Sequence, residues 1–112
     1  MSEFDFKVTR TGALARVDLN RPEEGNALTR AMMLRFAQVL RELGADAKIN
    51  AIAIGGRGAQ FCRGRDGKGE SRAGMTAYDV RVKMMGAVLD CYQAIRDVPV
   101  PVVALVHGDA LG

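Results

Sequence analysis

Residues 49–54, with the sequence INAIAI, form a short and mostly apolar run that ends at Gly55 and Gly56. A run of this length directly after a helical pattern is typical of a strand buried on both faces of a parallel sheet. Residues 100–106, VPVVALV, form a second mostly apolar run, which also follows a helical pattern. Because strands alternate with helices, the sequence predicts an α/β fold in which helices flank a parallel sheet.

The part of the chain before this strand begins with a predicted hairpin. Residues 4–10 and 13–19 each alternate apolar and polar side chains, and Gly12 marks a turn between them. The candidates for the core in the second strand are Leu14, Val17 and Leu19.

A helix is predicted between the hairpin and the strand. Residues 20–26 contain Pro, Gly and Asn, which indicate a loop. Thr29 is a suitable N-cap and Gly44 a suitable stop. Apolar residues at three- and four-residue steps predict one buried face, which consists of Leu28, Met32, Phe36, Val39 and Leu43.

The strand is followed by a long loop and a second helix. Residues 55–75 contain seven glycines and many charges, and long loops in compact domains are usually functional. Thr76 and Asp79 have the spacing of a capping box, and Val98 with Pro99 is expected to end the helix. The predicted apolar stripe of this helix consists of Val80, Met84, Val88, Tyr92 and Ile95.

Composition limits the class of protein. The 112 residues are 48% hydrophobic and 26% charged, which is ordinary for one small globular domain or part of a larger one. No apolar run is long enough to span a membrane, and the first residues lack the apolar core of a signal peptide, so we expect a cytoplasmic protein. A net charge of +3 is too small to indicate a nucleic-acid-binding surface.

Metal binding and nucleophilic catalysis find little support in the sequence. Cys62 and Cys91 lie far apart and form no CxxC pair, and His107 is the single histidine. A zinc site is therefore not predicted. We expect His107 to lie in a turn over residues 107–109 and Cys62 to pack in the core.

The glycine-rich loop also fails two nucleotide-binding patterns. A GxGxxG pattern that starts at Gly56 would need its third glycine at Phe61. A P-loop that includes Lys68 would need glycine at Cys62 and a hydroxyl side chain at Gly69. Neither pattern is present, so a nucleotide-binding module is not favoured.

Basic residues cluster in the same loop. They suit a phosphorylated small ligand, and a merely solvated loop surface is an equally good interpretation. The cluster consists of Arg57, Arg63, Arg65, Lys68 and Arg72.

Three segments, in this order, resemble the enoyl-CoA hydratase/isomerase (crotonase) superfamily. The first is residues 19–22, LNRP, followed by residues 26–28, NAL. The second is residues 61–66, FCRGRD, which are similar to the family's FCAGAD signature. The third is residues 99–108 with residues 110–112, which are similar to PKPVIAAVNGxAxGGG. The resemblance covers the whole chain and about the first half of a typical family domain.

The resemblance implies a crotonase-like fold, the ClpP/crotonase spiral of ββα units. Residues 1–112 would be the N-terminal part of a single domain of this kind, truncated at the triple-glycine motif. Half of the family's core would leave its sheet open, so we expect a fragment of a longer chain or a chain that needs another to complete its fold. Relatives are trimers or hexamers, which implies a homotrimer or homohexamer for the complete protein.

The resemblance also implies binding of acyl-CoA thioesters and stabilisation of their enolate by backbone N–H groups. Hydration of 2-enoyl-CoA, as in fatty acid metabolism, is the expected reaction. Isomerisation, thioester hydrolysis, decarboxylation and a non-catalytic scaffold role stay open, because the family's acid/base carboxylates lie beyond Gly112. The expected partner is the acyl-CoA substrate, with no nucleic acid, membrane, metal or cofactor other than the coenzyme A of that substrate.

By the same resemblance, the N–H of Arg65, directly after Gly64, would be the first oxyanion donor. The second donor would follow Gly112. A backbone donor tolerates any side chain, so arginine where the family has a small residue does not exclude it. Asp66 is expected to order the loop, and Lys68 to approach the CoA phosphates. The expected substrate- and CoA-binding residues are Glu24, Arg63, Gly64, Arg65, Asp66, Gly67 and Lys68.

Overall fold

A computed structural model of the chain describes residues 5–66 and 73–111. It confirms the predicted order of hairpin, helix, strand, loop, helix and strand. The strands are β1 (Phe6–Thr11), β2 (Leu14–Leu19), β3 (Ala51–Gly56) and β4 (Val102–Ala104). The helices are a 3-10 turn (Pro22–Glu24), α1 (Arg30–Gly44), α2 (Ala77–Asp79), a π-helix (Val80–Met85) and α3 (Gly86–Asp97).

The four strands form one sheet in the order β1-β2-β3-β4. β1 and β2 are antiparallel, whereas β2 with β3 and β3 with β4 are parallel. The sheet is mixed because the hairpin adds one antiparallel strand to the predicted parallel ones. Helices α1 and α3 pack against each other and share one core with the sheet.

The core is made by alternate strand residues and one face of α1. Thr29 caps α1, since its side chain accepts a hydrogen bond from the N–H of Met32. The ring centroids of Phe6 in β1 and Phe36 in α1 lie 5.6 Å apart, and this contact joins the edge of the sheet to the helix. The buried residues of α1 are Met32, Met33, Phe36, Ala37, Val39, Leu40 and Leu43.

The prediction that Leu14 belongs to the core is wrong. Leu14 is 42% exposed, whereas Ala15, Val17 and Leu19 are buried. Successive side chains of a strand point to opposite faces, so Leu14 shares the outer face with the charged Arg16.

In the second helical region the predicted start is confirmed, whereas the predicted set of buried residues is wrong. The side chain of Thr76 accepts from the N–H of Asp79, and Asp79 accepts from the N–H of Thr76, which completes the capping box. The buried residues of α3 are Ala87, Cys91 and Ala94. In the predicted stripe Val80, Val88 and Ile95 are half-buried and Tyr92 is exposed, and the side chain of Met84 lies outside the described part.

The π-helix explains why the stripe was misplaced. A π-helix bonds residue i to i+5 and takes more residues per turn than an α-helix. The predicted stripe was based on a continuous α-helix. The π-helix at Val80–Met85 rotates the residues that follow it, so different positions of α3 face the core.

The last strand is shorter and more exposed than predicted. β4 covers Val102–Ala104 rather than residues 100–106, and Val103 is 52% exposed. The prediction of a buried strand was wrong because β4 is at the edge of the sheet, where β3 is its one partner among the described residues. The turn over residues 107–109 is confirmed by Gly108, whose φ is 60°.

Both cysteines are free and buried, which confirms the core position expected for Cys62. Cys62 and Cys91 belong to the same apolar core. Burial raises the pKa of the Cys91 thiol to about 11, so this group stays protonated and unreactive near neutral pH.

The capping box predicts a measurable pH effect. The backbone N–H of Thr76 and, to a smaller extent, its hydroxyl hold the pKa of Asp79 below 3.8. Because the folded-state pKa is lowered, the cap stabilises the helix above the unfolded-state pKa and is lost as the pH falls through the folded-state value. NMR titration should show the Asp79 pKa rising part of the way toward 3.8 in Thr76→Ala.

Asp46 is the matched control for this titration. Arg10 and Lys48 hold its pKa below 3.8, and neither residue is among the groups that shift the pKa of Asp79. The Asp46 pKa should therefore be the same in the wild type and in Thr76→Ala. An Asp79 pKa that does not move in the variant would contradict a contribution from the hydroxyl.

Candidate functional site

The loop that follows β3 is held on two sides by other parts of the chain. Cys62 forms an isolated parallel bridge with Ala110, and Arg65 forms one with Leu28. These partners lie after β4 and just before α1. The loop therefore connects the edge strand with the start of the first helix.

The bridge at Cys62 attaches the first half of the loop. The N–H of Cys62 donates to the carbonyl of Asp109 at 2.9 Å, and the N–H of Leu111 donates to the carbonyl of Cys62 at 3.0 Å. The N–H of Phe61 donates to the carbonyl of His107 at 2.8 Å. Three main-chain hydrogen bonds thus attach residues 61 and 62 to residues 107–111, where the sequence predicted only a turn.

Gly64 redirects the loop between the two bridges. Its φ is 104°, in the left-handed region that side chains with a Cβ rarely adopt. The residue is buried, and its N–H points at the sulfur of Cys62, with N and Sγ 3.4 Å apart. Glycine at this position is what allows the chain to leave Cys62 and reach Leu28.

The bridge at Arg65 fixes the direction of one peptide group. Leu28 donates its N–H to the carbonyl of Gly64 at 2.8 Å, and Asp66 donates its N–H to the carbonyl of Leu28, also at 2.8 Å. A trans peptide group places its carbonyl and its N–H on opposite sides. The N–H of Arg65, which belongs to the same peptide group as the Gly64 carbonyl, therefore points away from Leu28.

Asn26 anchors the start of the loop from inside the protein. It is fully buried and adopts a φ of 59°, which asparagine tolerates better than most residues. Its side-chain carbonyl accepts from the N–H of Arg21 at 2.8 Å. Its amide nitrogen donates to the carbonyls of Arg57 and Gln60, both at 2.8 Å.

An ion pair anchors the loop at Asp66. Nη2 of Arg21 lies 3.3 Å from Oδ2 of Asp66, and the two side chains are 21% and 7% exposed. Nη1 of Arg21 donates to the carbonyl of Ala27 at 2.6 Å and lies 3.6 Å from the sulfur of Met32. Asp66 therefore joins the loop to the segment before α1.

Arg21 and Asn26 belong to the first motif of the sequence, and neither was expected to have a role in the site. The available signal was an asparagine next to Gly25, in a loop where a positive φ is common. Each side chain also has partners 31 or more residues further along the chain, Asp66 for Arg21 and the carbonyls of Arg57 and Gln60 for Asn26. Only folding brings them together.

The predicted ligand-binding residues that the structure describes lie together. Arg63 donates its N–H to the carbonyl of Gly25 at 3.0 Å, and its aliphatic stem lies where a Gly25 side chain would be. Glu24 is half-buried beside Gly25 at the end of the 3-10 turn, whereas the side chains of Arg63 and Arg65 are exposed. Gly67 and Lys68 lie outside the described residues.

A shallow groove of about 380 Å³ lies on the outer face of the sheet. It contains three cations and one carboxylate, and the carboxylate of Asp18 is already bonded to Arg16 at 3.0 Å. None of its residues is a predicted site residue. The groove is lined by Lys7, Thr9, Arg16, Asp18, Gly56, Arg57 and Gly58.

The described residues form neither a metal-binding cluster nor a membrane-spanning helix. Over residues 5–66 and 73–111, no cluster of three or more His, Cys, Asp or Glu side chains could hold a metal ion. Within the same ranges, every helix is too short or too polar to cross a lipid bilayer.

Comparison with known sequences gives a consistent family match. A sequence model of the enoyl-CoA hydratase/isomerase family matches residues 9–112. A probable enoyl-CoA hydratase (echA6) of Mycobacterium bovis is 31% identical over 105 residues, which are 94% of this chain and 40% of that protein. Enoyl-CoA hydratase AFT6-1 of Alternaria alternata is 28% identical over 107 residues, covering 96% of this chain and 34% of that protein.

Solved structures give the same result for the fold. A probable enoyl-CoA hydratase/isomerase from Mycobacterium abscessus superposes with a TM-score of 0.80 at 31% identity, over 93% of this chain and 40% of that one. An enoyl-CoA hydratase from Bacillus anthracis superposes with a TM-score of 0.81 at 27% identity, over 96% and 42% of the two chains. The chain has the fold of these enzymes, as predicted, and spans about 40% of their length.

The buried position of Asn26 predicts a specific loss of stability. In Asn26→Asp the carboxylate still accepts from Arg21 but faces the carbonyls of Arg57 and Gln60, to which asparagine donates. Leaving buried polar groups without partners costs about 1–3 kcal/mol. The free energy of unfolding, measured with denaturant, should fall by about that amount.

Asn50→Asp is the matched control, because Asn50 is an exposed asparagine whose change to aspartate adds the same charge. Its free energy of unfolding should change by about 0.5 kcal/mol or less. Equal losses in the two variants would mean that charge, rather than the buried amide contacts, causes the effect.

Proposed function

Because the chain belongs to the enoyl-CoA hydratase/isomerase family, we propose that its protein binds acyl-CoA thioesters and stabilises the enolate form of the thioester. The proposed catalytic contribution of this chain is the backbone N–H of Arg65, acting as one oxyanion donor. The fixed peptide group between Gly64 and Arg65 is the observation that carries the proposal.

The geometry supports a donor at this position for a simple reason. An oxyanion donor stabilises charge best when its direction is set before the reaction, so that no reorganisation is needed. The Gly64 carbonyl is bonded to Leu28 at 2.8 Å, which fixes the opposite N–H. Arg65 lies in an isolated bridge rather than inside a helix or a regular strand, so its N–H is not part of a repeating ladder.

The flanking charges support the coenzyme A part of the proposal. Arg63 and Arg65 carry exposed cationic side chains on either side of Gly64, and exposed cations can reach phosphate groups. We assign Glu24, Asp66, Gly67 and Lys68 to the same binding region. In support, Glu24 is half-buried next to Gly25, Asp66 directly follows Arg65, and Gly67 and Lys68 continue the loop in the sequence.

Hydration of 2-enoyl-CoA is the reaction we propose. Water would add across the double bond next to the thioester, with the hydroxyl at C3 and a proton at C2, by way of an enolate. The enolate needs the oxyanion donor and no resident metal or cofactor beyond the coenzyme A of the substrate. We further propose a cytoplasmic homotrimer or homohexamer, with isomerisation, thioester hydrolysis or decarboxylation as the competing reactions.

Replacement of Arg65 by proline or by alanine tests the donor in the full-length protein. Proline has no N–H, whereas alanine keeps it. Removing one oxyanion donor typically lowers kcat about 10²–10³-fold. Hydration of a 2-enoyl-CoA, followed by the loss of enoyl-thioester absorbance, should therefore be about 10²–10³-fold slower in Arg65→Pro than in Arg65→Ala.

The comparison is made between variants with similar unfolding temperatures, so that a damaged fold is not mistaken for a lost donor. Equal kcat values in the two folded variants would contradict the role of the Arg65 N–H. Chromatography of the products separates a 3-hydroxyacyl-CoA from an isomerised enoyl-CoA or a free acid. Absence of heat when acyl-CoA is titrated into the wild type would contradict acyl-CoA binding itself.

A further inference from the structure

We propose that the guanidinium of Arg21 polarises the oxyanion donor at Arg65 through two intervening peptide groups. Arg21 is therefore a positioning residue that acts through the main chain and not on the substrate. The inference deepens the proposed function and rests on the Arg65 N–H being the donor.

The first peptide group lies between Ala27 and Leu28. Nη1 of Arg21 donates to the Ala27 carbonyl at 2.6 Å, which is a short, charge-assisted hydrogen bond. A cation on the carbonyl oxygen draws electron density toward that oxygen. The N–H of Leu28, which belongs to the same peptide group, consequently becomes a stronger donor.

The second peptide group lies between Gly64 and Arg65. The strengthened N–H of Leu28 donates to the Gly64 carbonyl at 2.8 Å. This bond polarises the Gly64–Arg65 peptide group in the same sense, so the N–H of Arg65 carries more positive charge. The two peptide dipoles and the guanidinium therefore act in one direction along a single chain of hydrogen bonds.

Burial makes this relay more effective than it would be in water. The Arg21 side chain is 21% exposed, and Asp66 is buried opposite it. Hydrogen bonds and charges interact more strongly where water is excluded. The backbone N–H of Arg21 also bonds to the buried Asn26 at 2.8 Å, so the residue is attached at both its main chain and its side chain.

Asp66 has two opposing effects on this relay. Its carboxylate, 3.3 Å from Nη2, holds the guanidinium in place and partly cancels its positive charge. An uncharged residue of the same shape would keep a hydrogen-bond acceptor and remove the cancelling charge. The relay therefore predicts opposite changes when Arg21 and Asp66 are neutralised, whereas a purely structural ion pair predicts changes of the same sign.

A chromophoric substrate analogue can report the polarisation directly. An aryl-conjugated enoyl thioester of coenzyme A absorbs at longer wavelength when its carbonyl oxygen is polarised by hydrogen bonds. The measurement is the absorbance shift on binding to the full-length protein, taken at saturating protein. Three variants are compared with the wild type: Arg21→Gln, Arg21→Lys and Asp66→Asn.

The expected red shift decreases in Arg21→Gln, is intermediate in Arg21→Lys and increases in Asp66→Asn. The kcat for 2-enoyl-CoA hydration should fall about 10-fold in Arg21→Gln with little change in KM, which is less than the ~10²–10³-fold of a deleted donor. Arg41→Gln is the matched control, because it removes an exposed contact of 2.7 Å to Asp90 on the helices and leaves the loop intact.

The outcomes separate this inference from the proposed function. A wild type that binds the analogue without a red shift contradicts the oxyanion donor itself. A wild type with a red shift that Arg21→Gln leaves unchanged overturns the relay alone. If Arg21→Gln does not fold, Asp66→Asn decides, because a smaller or unchanged shift in that variant overturns the relay and a larger one supports it.

Discussion

The main-chain bonds between Leu28 and the Gly64–Asp66 segment are the contact on which the candidate site depends. They join residues 36 or more positions apart in the sequence, and each is 2.8 Å long. Buried main-chain groups need partners, and an irregular loop cannot supply them from its own neighbours. The loop after β3 therefore takes its shape from the segment before α1, and Gly64, with its φ of 104°, forms the bend that this contact requires.

A small polar cluster makes that contact specific. Arg21, Asn26 and Asp66 are polar residues at the boundary of an otherwise apolar core, where unsatisfied groups are costly. Over the described ranges, every buried side-chain nitrogen and oxygen has a hydrogen-bond partner. A fully satisfied network of this kind favours one arrangement of the loop over its alternatives. The same bonds that order the loop also direct the charge of Arg21 toward the proposed donor.

The two arginines that replace small residues of the family signature are compatible with this arrangement. Their side chains are exposed, and the stem of Arg63 fills the space that Gly25 leaves open. The proposed donor is a main-chain group whose direction is set by a main-chain bond. Side chains at positions 63 and 65 can therefore vary in charge and size, which leaves them available to influence what binds next to the donor.

The sequence by itself determined the elements and their order, because these depend on interactions between residues close together in the chain. Thr29 and the Thr76–Asp79 pair mark helix starts through bonds that span three residues. Alternation of apolar side chains located the hairpin strands, and the ordered motifs indicated the family. The helix caps and the strand alternation can be recognised in the sequence because each depends on residues that are close together in the chain.

The tertiary structure alone decided which faces are buried and how the site is built. Leu14 points outward because its strand offers its other face to α1, and β4 stays exposed because it is an edge. The π-helix moved the buried face of α3 to Ala87, Cys91 and Ala94. Arg21 meets Asp66 across 45 positions. Such contacts depend on how the chain closes on itself, which no local pattern of side chains encodes.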